Sequence, residues 1–371
     1  MAPAGPHETR PLPDAAMTGT AQSGAPTPCI APSIAALTAG ATARQQVYPS
    51  DARSGSRFER VLIQSRPYFL KVVSYRSDWI MRVTGDRDQR TFRIWQAGLL
   101  HRFPPEIDHT VMAMARDGEG LDAEIGILMR DVGDRLVPPG DAPITAQLHA
   151  RFIDHLAALC VAFRGWHDHL GLTTMTERVR FFAPGTIAGE LAGPEPDRVV
   201  HLASQGWVRL NELAPELATL VTAVQQRPEP LMAALAQTPV SFLHGDWKMG
   251  NLGEHPDGRT ILVDCAYPGS GPPCWELMWY LALNRARIPV GKAEVIAQFR
   301  NALAGRGWDT EEWFDRQLLL CQLAMISTFG WEKALGAADP VGAAELDWWQ
   351  QRALLAADEL DVAAPGWRKL R

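Results

Sequence analysis

The sequence predicts an α+β protein of two lobes, a small strand-rich lobe with one main helix followed by a larger, mostly helical lobe. Three observations predict it. Short runs rich in aromatic and β-branched residues crowd the segment from Phe58 to Val132. Beyond that segment apolar residues recur at three- and four-residue steps, as in Leu148, Phe152, Leu156, Leu159, Phe163 and Trp166. Between the two textures lies Pro138-Pro139-Gly140, a loop or hinge signal. A chain of 371 residues is long enough for two cores, and the lobes are placed at 51–137 and 138–371.

Taken in order, residues 1–50 come first. Up to residue 45 they are rich in Ala, Pro, Thr, Ser and Gly and show no clear period, and they are expected to form a disordered tail. Arg57–Ile63 and Tyr68–Val73 are expected as strands joined by a turn at Gln64–Pro67, with Trp79–Val83 a third. Phe92, Trp95 and Leu99 predict a helix over Asp88–Leu100. Ile125–Val132 is expected as the last strand of the lobe. In the second lobe, helices are expected over Ile144–His169, Asn211–Gln226, Trp275–Asn284, Lys292–Ala304, Glu311–Leu335 and Gly342–Asp361. One hairpin interrupts them: Phe242-Leu243 leads into a loop and Thr260–Asp264 returns, with Pro256-Asp257-Gly258 as the turn.

A net charge of −6 argues against a nucleic-acid binder, which would show a basic face. The charge is uneven: residues 1–137 carry 16 Lys/Arg and 15 Asp/Glu, the remainder 20 and 27. An acidic second half could attract a cationic partner, or simply keep the surface soluble. Five cysteines without a CxxC spacing argue against a disulfide framework and fit a reducing cytoplasm. No apolar run approaches the roughly 20 residues of a membrane helix, so neither membrane nor nucleic acid is expected as a partner.

The chemistry concentrates in His244-Gly245-Asp246-Trp247-Lys248-Met249-Gly250-Asn251, followed by Asp264 at the end of the next strand. Phosphoryl transfer needs a carboxylate to orient a hydroxyl, oxygen ligands for magnesium, and a lysine on the phosphates. Magnesium prefers one or two carboxylates together with phosphates and water. The loop and the strand end together supply such groups, and the hairpin would turn Asp264 toward the cleft that holds Asn251.

The pattern His-Gly-Asp-x-x-x-x-Asn, with a following strand that ends in Asp, resembles the aminoglycoside phosphotransferase and choline kinase family, whose fold is protein-kinase-like. The resemblance spans roughly residues 55–370 and is strongest over 240–285. It implies an ATP-dependent kinase of small-molecule hydroxyls, with ATP and Mg2+ as cofactors and residues 51–137 as the nucleotide-binding lobe. It implies Asp246 as the catalytic aspartate, Asn251 and Asp264 as magnesium ligands, Lys71 as the phosphate lysine and His244 as a structural member of the loop. It also implies that Leu128–Val132 leads to the hinge under the adenine. Lys248 lies where protein kinases of the His-Arg-Asp-x-Lys type carry a lysine on the transferred phosphate, so it joins Asp246 as a catalytic candidate.

The pattern is incomplete. The helix after Lys71 should offer it a glutamate, yet Thr91 stands at that place, with Asp86 or Asp88 as substitutes. Cys265 replaces the tryptophan that often follows the metal aspartate. Glu276-Leu277 replaces the later Asp-Leu pair, and the longer arm of Glu276 is expected to hold the catalytic loop less tightly. Arg53-Ser54-Gly55-Ser56-Arg57 is a poor match to a glycine-rich phosphate loop. These gaps motivate an alternative, a pseudokinase-type nucleotide-binding or regulatory module without rapid turnover. No GxSxG, HExxH or histidine cluster supports an unrelated hydrolase. The acceptor is open between sugar-like and cationic molecules. Glu311, Glu312, Asp315, Glu345 and Asp347 suit an amine. Trp275, Trp279, Trp308, Trp313, Trp331, Trp348 and Trp349 could stack on a sugar or cage a quaternary amine, or serve as helix packing.

Overall fold

A computed structural model describes residues 27–48 and 55–363. It divides into two units. One comprises the chain up to Arg82 with Arg87–Arg102 and His109–Asp134; the other comprises Val83–Asp86, Phe103–Asp108 and the chain from Arg135 onward.

The first unit is a six-stranded sheet. Its strands are β1 (Ile30–Ala31), β2 (Ala41–Val47), β3 (Arg57–Ile63), β4 (Arg66–Ser74), β6 (Val111–Asp117) and β7 (Glu124–Arg130), with β5 (Ile107–Asp108) belonging to the other unit. The order across the sheet is β1-β6-β7-β4-β3-β2, antiparallel except for β1 beside β6. Alternation along β4 sets the geometry. Tyr68, Leu70 and Val72 point into a core with Val61, Leu128 and Leu37, and Lys71 therefore stands on the opposite face. Lys71 is flanked across the ladder by Phe58 of β3 and Ile127 of β7.

Three expectations change here. Residues 30–47 are not a disordered tail. β1, the short helix α1 (Ile34–Leu37) and β2 complete the sheet and its core. Ser33 accepts the Ala36 N–H at 3.1 Å and caps α1, Asp117 accepts the Ile34 N–H at 3.1 Å, and Leu37 is wholly buried. A small-residue composition hid the apolar side chains Ile30, Ile34 and Leu37. α1 lies so close to β7 that a Cβ at Gly126 would sit 2.8 Å from Leu37 Cδ1. Residues 1–26 and 49–50 of the predicted tail, and Arg53-Ser54, lie outside the described residues.

The second change is Trp79–Val83, expected as a strand, which is helix α2. The Asp78 carboxylate accepts the Ile80 N–H at 2.8 Å and the Met81 N–H at 3.2 Å, an N-terminal cap that outweighs β-propensity. Third, the helix predicted over 88–100 is the shorter α3 (Arg90–Gln96).

The second unit is mostly helical: α4 (Ala146–Ala162), α5 (Met175–Arg180), α6 (Pro184–Leu191), α7 (Arg198–Leu213), α8 (Pro215–Gln226), α9 (Glu229–Leu235), α10 (Pro273–Leu283), α11 (Lys292–Gly305), α12 (Phe314–Gly336) and α13 (Pro340–Ala363). Pro215 starts α8, so the helix expected over 211–226 is two, because proline cannot donate to the helix before it. α12 is buried on nearly every side and α7, α10 and α13 pack on it. No helix among the described residues is long and apolar enough to cross a membrane.

Two small sheets sit among these helices, and they correct the predicted hairpin. β8 (Ser241–Leu243) does not pair with the strand that ends in Asp264. It pairs with β11 (Gly269–Gly271), while β10 (Thr260–Leu262) pairs with β9 (Leu252–Glu254) and with β5. The Asp257-Gly258 turn is used, but the strand preceding it is β9, which begins directly after Asn251.

Candidate active site

β8 delivers the loop 244–251 into the helical unit, and the loop's conformation is set by side chains from elsewhere. Gly245 has φ +84°, and a Cβ there would lie 1.9 Å from the Tyr267 carbonyl oxygen, so only glycine fits. Its N–H donates to Glu276 Oε1 at 2.6 Å. The Met249 N–H donates to Asn284 Oδ1 at 2.9 Å. Both acceptors belong to α10 or its C-terminal cap, eight residues apart on one side of the helix. The arm of Glu276 thus reaches the loop backbone with a short hydrogen bond.

Asp246 is the one carboxylate of the loop, and both its oxygens are bonded. Oδ2 accepts from Asn251 Nδ2 at 2.7 Å and pairs with Lys248 Nζ at 2.8 Å, and Oδ1 accepts from the Trp279 indole N–H at 2.9 Å. Asn251 Nδ2 also reaches the Asp246 carbonyl at 3.0 Å. Its amide nitrogen is therefore engaged, leaving Oδ1 as the end that can meet a cation.

Asp264 joins this group through the β9–β10 ladder. Leu252 is paired with Leu262, so Val263 lies beside Asn251 and donates to its carbonyl at 3.0 Å. Asp264 follows at once with φ +63°, a left-handed conformation that costs a non-glycine residue about 1–2 kcal/mol. That turn takes the chain out of the strand beside Asn251. Asn251 Oδ1 and the Asp264 carboxylate are oxygen donors of the kind a hard cation such as magnesium prefers. Among the described residues no group of three or more His, Cys, Asp and Glu is placed to hold a metal ion.

Beneath the loop the side chains are buried. His244 is wholly buried, and burial pushes its imidazole down to about 4, so the ring is neutral. Its Nδ1 accepts the Asp246 N–H at 3.3 Å, which puts the proton on Nε2. Glu276 is also wholly buried. Burial pushes its carboxyl up to about 7, although the Gly245 and Trp247 N–H groups and the Arg178 guanidinium favour the charged form. Arg178, on α5, is buried too; it donates to the Tyr267 carbonyl at 2.8 Å and lies 4.4 Å from the Tyr267 ring centroid.

Lys71 belongs to the other unit. It is buried, with Nζ 6.0 Å from the Phe58 ring centroid. α3 carries no acidic residue, and Asp88 is engaged by Arg93 at 3.0 Å.

The residues proposed for acceptor contact are largely committed elsewhere. Trp275, Trp279, Trp308, Trp331 and Trp349 are buried. Glu345 is buried, paired with Lys292, and accepts the Trp349 indole at 2.7 Å. Asp315 pairs with Arg300 at 3.1 Å. Sequence reasoning missed Arg178, Asn284 and the contact between Trp279 and Asp246. The signal available was spacing: Trp279 lies three residues and Asn284 eight residues after Glu276, on one helix face.

A profile of the phosphotransferase enzyme family matches residues 53–314. No curated protein matches the chain. Similar solved structures include a microcompartment-associated aminopropanol kinase at 12% identity, covering 87% of this chain and 93% of that one with a TM-score of 0.48. A choline kinase from Streptococcus pneumoniae is 10% identical, over 87% and 95%, with a TM-score of 0.45. A spectinomycin phosphotransferase, solved with ADP and spectinomycin, is 13% identical over 84% and 88%, with a TM-score of 0.42.

Proposed function

Because the chain belongs to the phosphotransferase enzyme family, we propose that it is a small-molecule kinase that moves the γ-phosphoryl group of ATP to an alcohol hydroxyl. The observation that supports this most is the convergence of Asn251, Lys248 and Trp279 on the Asp246 carboxylate, with Asp264 held next to Asn251. A carboxylate so oriented accepts the proton of an attacking hydroxyl. Lys248, with Nζ on Oδ2, lies one ammonium group from Asp246, where a cation neutralises charge that develops on the transferred phosphoryl. Asn251 Oδ1 and Asp264 would hold magnesium, which would neutralise charge on the nucleotide phosphates. Lys71 would hold the phosphates themselves.

The acceptor is a small molecule, and the excess of acid over base in residues 138–371 favours a cationic one. The test is ADP formation from ATP and magnesium with a panel of amino alcohols, aminoglycosides and neutral sugars. Asp246→Ala should lower turnover by about 10²–10⁴ with little change in melting temperature. Wild-type turnover in that variant would sink the mechanism. The melting temperature should rise with ATP and magnesium together, and that rise should fail in Asp264→Ala, because a ligand of the folded state stabilises it by mass action.

A further inference from the structure

We propose that Trp279 is a positioning residue for the phosphoryl acceptor, and that the acceptor hydroxyl delivers its proton to Oδ1 of Asp246, beside the indole. This rests on Asp246 as the proton acceptor. A carboxylate oxygen offers about two in-plane lone-pair directions. On Oδ2 both are taken, by Asn251 Nδ2 at 2.7 Å and Lys248 Nζ at 2.8 Å. Among the described residues Oδ1 receives the Trp279 indole N–H alone, at 2.9 Å. One direction on Oδ1 is therefore left for the hydroxyl. As the hydroxyl oxygen bonds to the γ-phosphorus and the bond to the ADP oxygen breaks, the hydroxyl proton passes to Oδ1.

The indole is well placed to fix that oxygen. Trp279 is buried, packed edge-on against Phe329 with ring centroids 5.0 Å apart and tilted against Tyr267 at 5.9 Å. It sits on the same helix as Glu276, whose carboxylate holds the loop backbone. One helix thus grips the loop twice, by its backbone at Gly245 and by its carboxylate at Asp246. The carboxylate plane cannot rotate without breaking the indole bond, so the lone pair left for the hydroxyl keeps one direction.

The test compares Trp279→Phe with Trp279→His. Phenylalanine keeps most of the ring volume and loses the donor. Histidine loses more volume but keeps an N–H at the same place in a five-membered ring. The readout is ADP formation from ATP and magnesium with water as the acceptor, together with melting temperature. A positioning role predicts that kcat falls about tenfold in Trp279→Phe, the scale of one hydrogen bond, with KM for ATP unchanged. It also predicts that Trp279→His is the faster variant although it melts lower. A packing role predicts that Trp279→Phe is better in both respects, and that result overturns the proposal.

Combining Trp279→Phe with Asp246→Asn should cost nothing beyond Asp246→Asn alone. If Asp246→Asn is inert while Trp279→Phe keeps full turnover, this inference alone fails. If Asp246→Asn turns over normally, the reading of Asp246 fails instead. A readout independent of turnover is the indole N–H resonance of Trp279, assigned by its loss in Trp279→Phe. It should move upfield in Asp246→Asn, and a resonance that stays in place overturns the contact.

Discussion

The loop 244–251 and the strand that carries Lys71 hold their key side chains by opposite means. Asp246 is oriented by side chains drawn from its own loop and from α10, and its backbone hangs on Glu276 and Asn284. Lys71 is placed by a β ladder, with a hydrogen-bonded strand on each side and Phe58 and Ile127 as neighbours. A ladder shares its load over many backbone bonds. A loop hung on a few side chains does not, so single substitutions should damage the loop far more than the strand.

The largest contrast is between two tight glycines. At Gly245 an added Cβ would meet backbone, the Tyr267 carbonyl at 1.9 Å, at a φ of +84° that other residues resist. At Gly126 it would meet the end of the Leu37 side chain at 2.8 Å, which can turn aside. Gly245→Ala is expected to cost about 2–5 kcal/mol, the sum of left-handed strain and overpacking. It should also abolish turnover in whatever remains folded. Gly126→Ala should cost about 1–3 kcal/mol and leave turnover intact. Urea unfolding of both variants checks the order, and equal costs would erase the contrast.

Buried titration sharpens it next. Glu276 rises from an ordinary 4.5 to about 7 on folding, so the stability it contributes is whole below about pH 4.5 and is lost as the pH climbs through 7. His244 falls from an ordinary 6.5 to about 4, so its contribution is whole above about pH 6.5 and is lost as the pH drops through 4. Each is worth up to about 3 kcal/mol, at about 1.4 kcal/mol per unit. Between about pH 4.5 and 6.5 the two slopes oppose and cancel. Glu276→Gln removes one of them, so its stability should rise with pH across that window by about 1.4 kcal/mol per unit relative to wild type. Unfolding midpoints at three pH values suffice; parallel curves for variant and wild type would refute the cancellation.

Lys71 is next in size. Lys71→Met keeps the backbone ladder and removes the ammonium. It should raise KM for ATP about 10–100-fold, the scale of a charge-assisted hydrogen bond. An unchanged KM would remove Lys71 from nucleotide binding.

The contrast also explains what could be seen in the sequence. β3 and β4 were legible because a strand announces itself through alternation, and the same alternation puts Lys71 on the face opposite the core. The cluster of Asp246, Lys248 and Asn251 was legible because its spacing is local. The route by which Asp264 reaches it was not. The sequence suggested that β8 and β10 pair, whereas three-residue strands carry too little pattern to fix a partner, and β9 was overlooked for the same reason. Arg178 and Asn284 were missed because their contacts span 89 and 35 residues of chain. The sheet's first elements were hidden by composition: Ala, Ser and Thr around Ile34 and Leu37 looked like a solvated tail, yet Leu37 is wholly buried.

The smallest effect concerns the carboxylate absent from α3. Thr91 is half-buried at the place where a glutamate was expected, and Asp88 already pairs with Arg93. If the strand and the contacts Lys71 already makes fix its ammonium, a new carboxylate on α3 has little left to orient. Thr91→Glu should then lower KM for ATP by no more than about threefold, the worth of a partly exposed ion pair, and leave kcat unchanged. A gain of a hundredfold would mean that the ladder sets where the lysine begins but not where its ammonium ends. The two units would then differ less than they look, each needing a side chain from a neighbouring helix to finish what the strand or loop starts.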